Sequence, residues 1–340
     1  MRDDRPDDGP VGDPSRDRSG DEDAWIARVA ARYAKGDRVE VGIGHDAAVV
    51  RLDGRRVVVK TDVLVDGVHF RLAECGPTAA ARKAIAVNVS DLAAMAAIPR
   101  AVVVGAVLPR GVTFDLFDGL AKGLDAAARE MGVNVVGGDT NVADGPLVLA
   151  VAAFGEPGPE GVVTRSGARP GDALSVTGAL GGSLLGRHLT FTPRVREARV
   201  LAARRIPHAM MDLSDGLSMD LPRLCAMSRV GADLVAEWIP VHADAHVASD
   251  AMRGREGDVI RPSHAPHRSP LEHALDDGED FELLLAHAPL SDGDVASLAN
   301  ERVTLIRVGT VTADGGVVRL IENGVARPLP RRGYDHLRSP

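Results

Sequence analysis

Aromatic residues make up only 3% of this 340-residue chain, so its core has to be built mainly from Ala, Val and Leu. Cysteine is almost missing as well. Cys75 and Cys225 carry no CxxC or Cys/His spacing, which excludes a zinc ribbon or a disulfide framework and fits small thiols in a reducing compartment. Lysine is scarce: of 40 basic residues only Lys35, Lys60, Lys83 and Lys122 are lysines. No apolar run reaches the roughly 18 residues of a membrane span, and the first 23 residues hold charge, Pro and Gly where a signal core would be apolar. The formal charge of −8 argues against a general nucleic-acid surface. Neither a GxxxxGK[ST] loop nor the HRD and DFG signatures are present, so the chain is neither a P-loop enzyme nor a protein kinase. A cytoplasmic protein without nucleic-acid or membrane partners is expected.

What is present reads as two globular units. Residues 1–23 form a charged, Pro- and Gly-rich tail expected to be disordered. An amphipathic helix, AWIARVAARYA, opens an N-terminal domain assigned to 24–157. Two strand-like runs joined at Asp53-Gly54 read as a hairpin, followed by an Ala-rich helix over 79–97 that ends at Ile98-Pro99. A strand, a helix over FDLFDGLAKGLDAAAREMG and the strands VNVVGG and PLVLAVAAFGE complete the unit. Strands and helices alternate without strict βα repetition, which indicates an α+β domain with a mixed sheet. The stretch PGPEGVVTRSGARPGD marks the boundary with a C-terminal α/β domain at 158–340. Five histidines fall between 241 and 273. His242 and His246 have i,i+4 spacing, but without a further ligand pattern a solvated surface segment is the expectation.

Aspartates carry the chemical signal. Asp46, Asp62, Asp91, Asp139, Asp212 and Asp215 each sit beside Gly, Ser or Thr at the edge of an apolar run. Singly, such residues are ordinary turn formers or helix caps. Asp91 is harder to place as one, because from Ala84 onward Asn88, Ser90 and Asp91 interrupt a run otherwise made of Ala, Val, Ile, Leu and Met. An ionised carboxylate there needs a partner, and few lysines are available. A hard cation such as Mg²⁺ would satisfy several carboxylates together. Mg²⁺ on scattered aspartates points to phosphate chemistry. The glycine turns GGD and GALGGS are candidates to offer amides to phosphate oxygens.

The ordered series GIGxDAA, TDVLVxGVHF, KAIAVNVSDLAAM, GGDT, TRSGARPGD, DLSDGL, GEDFEL and GYDH resembles the thiamine-monophosphate kinase family, from about residue 24 to the C-terminus. Each motif alone is unspecific; their order and spacing together are not. The resemblance implies the two-domain fold shared with aminoimidazole-ribonucleotide synthetase, dimerising through the N-terminal sheet. It also implies transfer of the γ-phosphoryl of ATP to thiamine monophosphate, giving thiamine diphosphate and ADP. By the same resemblance Asp46, Thr61, Asp62, Asp91, Asp139, Asp212 and Asp215 are metal positions, and Gly138, Asp139, Arg165 and Ser214 contact nucleotide. His69, Glu279 and Tyr334 match positions that contact thiamine phosphate. No general base is expected, because the acceptor is a phosphate monoester with a second pKa of about 6.

Four departures from the family pattern stand out. His45 replaces the first Asp of GDD, Lys60 precedes the TD pair in place of Ser or Thr, Asn141 replaces a second Thr, and Asp277 alters GGED. An extended backbone would turn His45 away from Asp46's face, making it a tolerated neighbour. Lys60 could repel Mg²⁺ or meet a phosphate. A catalytically impaired paralogue that binds nucleotide or thiamine phosphate is therefore the rival of a different class. Among rivals of the same fold, a selenophosphate synthetase needs a reactive Cys before Cys75, and a hydrogenase-maturation protein needs a C-terminal Cys. A purine-pathway synthetase fits GVHF, TRSGARPGD and GYDH less well.

Overall fold

The computed structural model describes residues 38–251 and 268–334, together with Asp23 and Ile26. The expected tail and the helix after it lie outside the described residues apart from those two, as do His264 and His267. A six-stranded sheet comes first, built from β1 (Val39–Val41), β2 (Ala48–Leu52), β3 (Arg55–Val65), β4 (Ile98–Pro109), β5 (Asn134–Ala143) and β6 (Val148–Glu156). Its order is β1-β2-β3-β6-β4-β5, antiparallel except for the β4–β5 pair. The β2–β3 hairpin turns at Asp53-Gly54, with φ of 48° and 82°, the left-handed pair that a two-residue type I′ turn requires.

Helix α1 (Leu72–Ala94) runs between the two halves of the molecule. Its chain breaks at Gly76, and Pro77 restarts it in the position where a missing N–H costs nothing. From Ala80 to Ala97 every residue but Arg82 is buried, as expected of a helix apolar on all sides. The helix proper ends at Ala94, three residues before the expected end, and the chain turns through Met95 and Ala96 into β4. Helix α2 (Phe114–Met131) packs on α1, capped by the Thr113 hydroxyl and closed by Gly132 in the left-handed region.

The second half holds a seven-stranded sheet of order β13-β12-β9-β11-β7-β10-β8. Its strands are β7 (Ala173–Val176), β8 (Pro207–Asp212), β9 (Gly231–Val235), β10 (Leu283–His287), β11 (Ile306–Thr312), β12 (Val318–Glu322) and β13 (Val325–Pro328). Helices α3 (Arg187–Thr190), α4 (Val195–Ala203), α5 (Leu217–Ser228), α6 (Ala243–Ala251), α7 (Pro270–Asp276) and α8 (Asp292–Asn300) surround it. Helix α4 forms within the Pro- and Arg-bearing run FTPRVREARVLAARR. One apolar cluster joins the halves: Ala93 and Ala94 of α1 meet Leu201 and Ala202 of α4, Met210 of β8 and Leu283 and Leu285 of β10. Among the described residues no helix is long and apolar enough to cross a membrane.

One element differs from expectation in kind. The run GGDTN reads as a turn but continues β5, paired in parallel with Val103–Val107 of β4. A Cβ on Gly138 would meet the Val104 carbonyl oxygen at 2.1 Å, so glycine is what lets the two strands close there.

Candidate active site

Strand β3 and the C-terminal half of α1 lie side by side at the seam with the second sheet. The Asp62 amide donates to Asn88 Oδ1 at 3.1 Å, which pins β3 to the helix. Asn88 in turn donates to the Ala84 carbonyl at 2.9 Å. Two residues on, Ser90 donates to Asp212 Oδ2 at 2.5 Å, tying α1 to the end of β8. The result is a group of three buried carboxylates, Asp46, Asp91 and Asp212, with one oxygen of each within 4.8 Å of the others. Among the described residues this is the only set of three or more His, Cys, Asp or Glu side chains so arranged. Each comes from a different element: the loop before β2, helix α1 and the end of β8.

Two cations of the chain lean on this group. Lys60 Nζ lies 3.2 Å from Asp62 Oδ1 and 3.2 Å from Asp91 Oδ2. Arg165 grips Asp46 with both arms of its guanidinium, at 3.1 and 2.8 Å. Burial pushes Asp91 well above the ordinary carboxylate value, against the pull of Lys60. Burial first, and Asp46 second, push Asp212 up to about 7, against the Ser90 hydroxyl. Burial works to lower Lys60, yet Asp91 and Asp62 outweigh it and hold its ammonium charged. Carboxylates forced together out of water are the donor set that a hard divalent cation prefers.

A second arrangement lies farther toward the start of α1. The GEDF segment folds back on DLSDG: the Glu279 amide donates to the Ser214 carbonyl at 2.7 Å and the Phe281 amide to the Leu213 carbonyl at 2.8 Å. Glu279 and Phe281 both take the left-handed region, with φ of 57° and 52°, a costly conformation for side-chain-bearing residues. That bend brings the Glu279 carboxylate to Lys83 of α1, which also donates to the His69 carbonyl at 2.5 Å. The His69 ring accepts from the Val65 amide at 3.0 Å, at the end of β3. His69 and Glu279 are thus brought together by a lysine that the sequence reading passed over. A charged residue in an apolar helix, the signal that singled out Asp91, singles out Lys83 too.

The other expected positions fall elsewhere. Thr61 is exposed and, by strand alternation, faces away from Lys60 and Asp62. Asp139 and Gly138 are exposed on the edge strand β5, three strands from β3, or about 14 Å across the sheet. Asp215 pairs with Arg223 rather than joining the three carboxylates. Arg223 also holds Asp220, at 2.9 Å, and Asp23 at 2.8 Å, the last described residue of the tail. Tyr334 is 36% exposed, and its amide donates to the Asp215 carbonyl at 3.0 Å. A Cβ on the preceding Gly333 would lie 2.1 Å from that same oxygen, so only glycine allows the C-terminal segment to dock there. The His45 Nδ1 accepts at 3.2 Å from the amide of Arg165, whose guanidinium grips Asp46. His242 Nδ1 accepts from the Asp244 amide at 3.0 Å, as a turn residue does.

The amides of GALGGS are not held open for phosphate. The Gly181 amide donates to Asp280, at 3.0 and 3.1 Å, and the Gly182 amide to Asp277 at 2.9 Å. This corrects the expectation for that turn: its donors are consumed by carboxylates almost 100 positions downstream.

Two family models match the chain: AIR synthase related protein, N-terminal domain, over residues 44–156, and AIR synthase related protein, C-terminal domain, over 152–321. The thiamine-monophosphate kinase of Rhodopirellula baltica is 37% identical over 323 residues, covering 93% of this chain and 97% of the relative. That of Escherichia coli K12 is 32% identical, covering 89% of this chain and 93% of the relative. Among solved structures, AaThiL complexed with AMPPCP and TMP superposes with a TM-score of 0.76 at 26% identity, over 93% of this chain and 97% of that one.

Proposed function

This chain belongs to the thiamine-monophosphate kinases of the AIR synthase related family, and from that membership we propose that it transfers the γ-phosphoryl group of ATP to thiamine monophosphate, giving thiamine diphosphate and ADP. The observation in this chain that carries the proposal is the buried group Asp46, Asp91 and Asp212 at the seam of the two domains. Its fit to Mg²⁺ is chemical: three oxygen donors within 4.8 Å, buried, with Asp91 and Asp212 pushed above the normal carboxylate range. Asp46, Asp91 and Asp212, with Asp62 beside them, would hold the ion, which when bound draws charge from the transferring phosphoryl oxygens.

The remaining work falls to the chain. Ser90 and Asn88 keep Asp212 and β3 in register with α1. Arg165 and Lys60 are the cations nearest the carboxylates and the first available to polyphosphate oxygens. His69, Glu279 and Tyr334 form the acceptor end. No side chain is assigned as general base, since a phosphate monoester is largely ionised at neutral pH and in-line transfer reduces to positioning and charge neutralisation.

We place the domain boundary between residues 157 and 158, and a homodimer through the first sheet completes the assignment. All ten residues of β5 are exposed, among them Val135, Val136 and Val142, an unprotected edge that soluble proteins ordinarily cover. Because Asp139 and Gly138 are about 14 Å from β3 in their own chain, the dimer assigns them to the carboxylates of the neighbouring copy. Lys60, bridging Asp62 and Asp91, is the observation behind a second reading, nucleotide binding without turnover.

The deciding experiment incubates purified protein with ATP, Mg²⁺ and thiamine monophosphate and follows thiamine diphosphate by chromatography, with Asp91→Ala as control. Product that requires Mg²⁺ and is lost in the control is the expected result. Nucleotide binding with no product would instead establish the second reading.

A further inference from the structure

Of the three described lysines, Lys83 is the one whose side chain has no exposure at all, against 23% for Lys60 and 73% for Lys122. It lies two helical turns before Ser90 and outside the carboxylate group described above. Its ammonium makes two contacts, the Glu279 carboxylate and the His69 carbonyl, and so links α1 and the loop after β3 to the GEDF turn of the other domain. We infer that Lys83 is a positioning residue for the acceptor substrate: it holds Glu279 and the His69 loop in the arrangement that receives a phosphate monoester with a cationic heterocycle. The inference rests on the function proposed above and names one more residue of the same site.

Three observations favour this role over a purely architectural one. A buried ion pair is a poor stabiliser, because dehydrating both ions offsets their attraction, and an apolar residue would suit the interior of α1 better. Glu279 holds a left-handed backbone conformation that presents its side chain toward α1, and such strain is retained where geometry matters. The Glu279 side chain is also 20% exposed, unlike that of Lys83, so the pair reaches the surface on the Glu279 side. An unpaired carboxylate at this point would repel a phosphate monoester carrying nearly two negative charges. Paired with Lys83, Glu279 is neutralised toward the phosphate, yet it still offers oxygen to an amino group or a thiazolium.

Steady-state kinetics and calorimetric binding of thiamine monophosphate on the full-length protein test the inference, using Lys83→Met, Lys83→Arg, Glu279→Gln and the Met/Gln double variant. Lys83→Met should raise the KM and weaken the binding of thiamine monophosphate by about 10- to 100-fold, the loss of one hydrogen bond to a charged group. The KM for ATP should stay within about twofold, since that end of the site is separate. Lys83→Arg should recover most of the loss, and the double variant should be no worse than the worse single one. Glu279→Gln should also raise the acceptor KM alone, which keeps the test open if the Met variant does not fold. Equal changes in both KM values, an unmoved acceptor KM, or losses that multiply in the double variant would overturn the role of Lys83. Wild-type protein that binds thiamine monophosphate but makes no diphosphate would sink the proposed kinase while leaving the binding test of Lys83 intact. Wild-type protein that neither binds nor turns over thiamine monophosphate would sink both.

Discussion

Two buried acidic regions lie on either side of the DLSDG and GEDF turns, and burial alone does not tell them apart. Asp212, in the first, and Asp280, in the second, are both pushed up to about 7, with burial the largest cause in each case. Their donors differ. Asp280 accepts the Gly181 amide and the Arg187 guanidinium, Asp277 accepts the Gly182 amide and pairs with His273, and Glu282 is gripped by Arg194 and Thr177. Around Asp46, Asp62, Asp91 and Asp212 the cations are Lys60 and Arg165, and Asp212 itself receives the Ser90 hydroxyl. The second region is saturated by its own chain and acts as a latch on the glycine turn. Among the described residues the first has fewer cations than carboxylates, and that deficit, rather than depth, is what supports the metal site proposed above.

Substituting Asp212 by Asn should break the contrast most severely. Removing one carboxylate from the under-neutralised group is expected to cut kcat about 100- to 1,000-fold, read as thiamine diphosphate formed per minute. Asp280→Ala is the matching test in the latch. It strands the Gly181 amide, removes one of the partners of Arg187 and should destabilise the fold by about 3–5 kcal/mol in chemical denaturation. Mg²⁺ affinity of the folded fraction should stay within about twofold. Lys60→Thr should sharpen the contrast by deepening the deficit, tightening Mg²⁺ binding about tenfold in a calorimetric titration.

The smallest effect expected is that of pH. Asp212 sits at about 7 when folded against an ordinary value of 3.8, so between those values the folded state holds the proton more tightly. The stability contributed by the neutral form is therefore full below about 4 and is lost as pH rises toward 7. Mg²⁺ binds the ionised form and releases that proton, so the melting-temperature gain from Mg²⁺ should grow from about pH 5.5 to about pH 8. A gain that is flat or that falls with pH would contradict the assignment of Asp212 as a ligand.

Much of this was legible in the sequence because local signals agreed with the final structure. The Asp53-Gly54 hairpin and the helix over FDLFDGLAKGLDAAAREMG both carry their meaning within a few residues. Asp91 was legible through conflict, a charge in an apolar helix. The failures are long-range. Nothing near GALGGS reveals that Asp277 and Asp280 will claim its amides, and nothing in GGDTN reveals that β4 will turn these residues into a strand. Lys83 carried the same signal as Asp91 but was counted only among the scarce lysines, because its partner Glu279 lies 196 positions away.

The break at Gly76-Pro77 gives α1 a fixed starting phase, and from there the helix works as a ruler. Lys83, which meets Glu279, and Ser90, which meets Asp212, are seven residues apart, nearly two whole turns, which places both on one face about 10.5 Å apart along the axis. A single residue inserted between them would rotate one end by about 100° relative to the other and lengthen the span by about 1.5 Å. Point changes along this stretch can be absorbed one contact at a time. A change in its length cannot, because the spacing between the Lys83–Glu279 and Ser90–Asp212 contacts is written into the residue count of one helix.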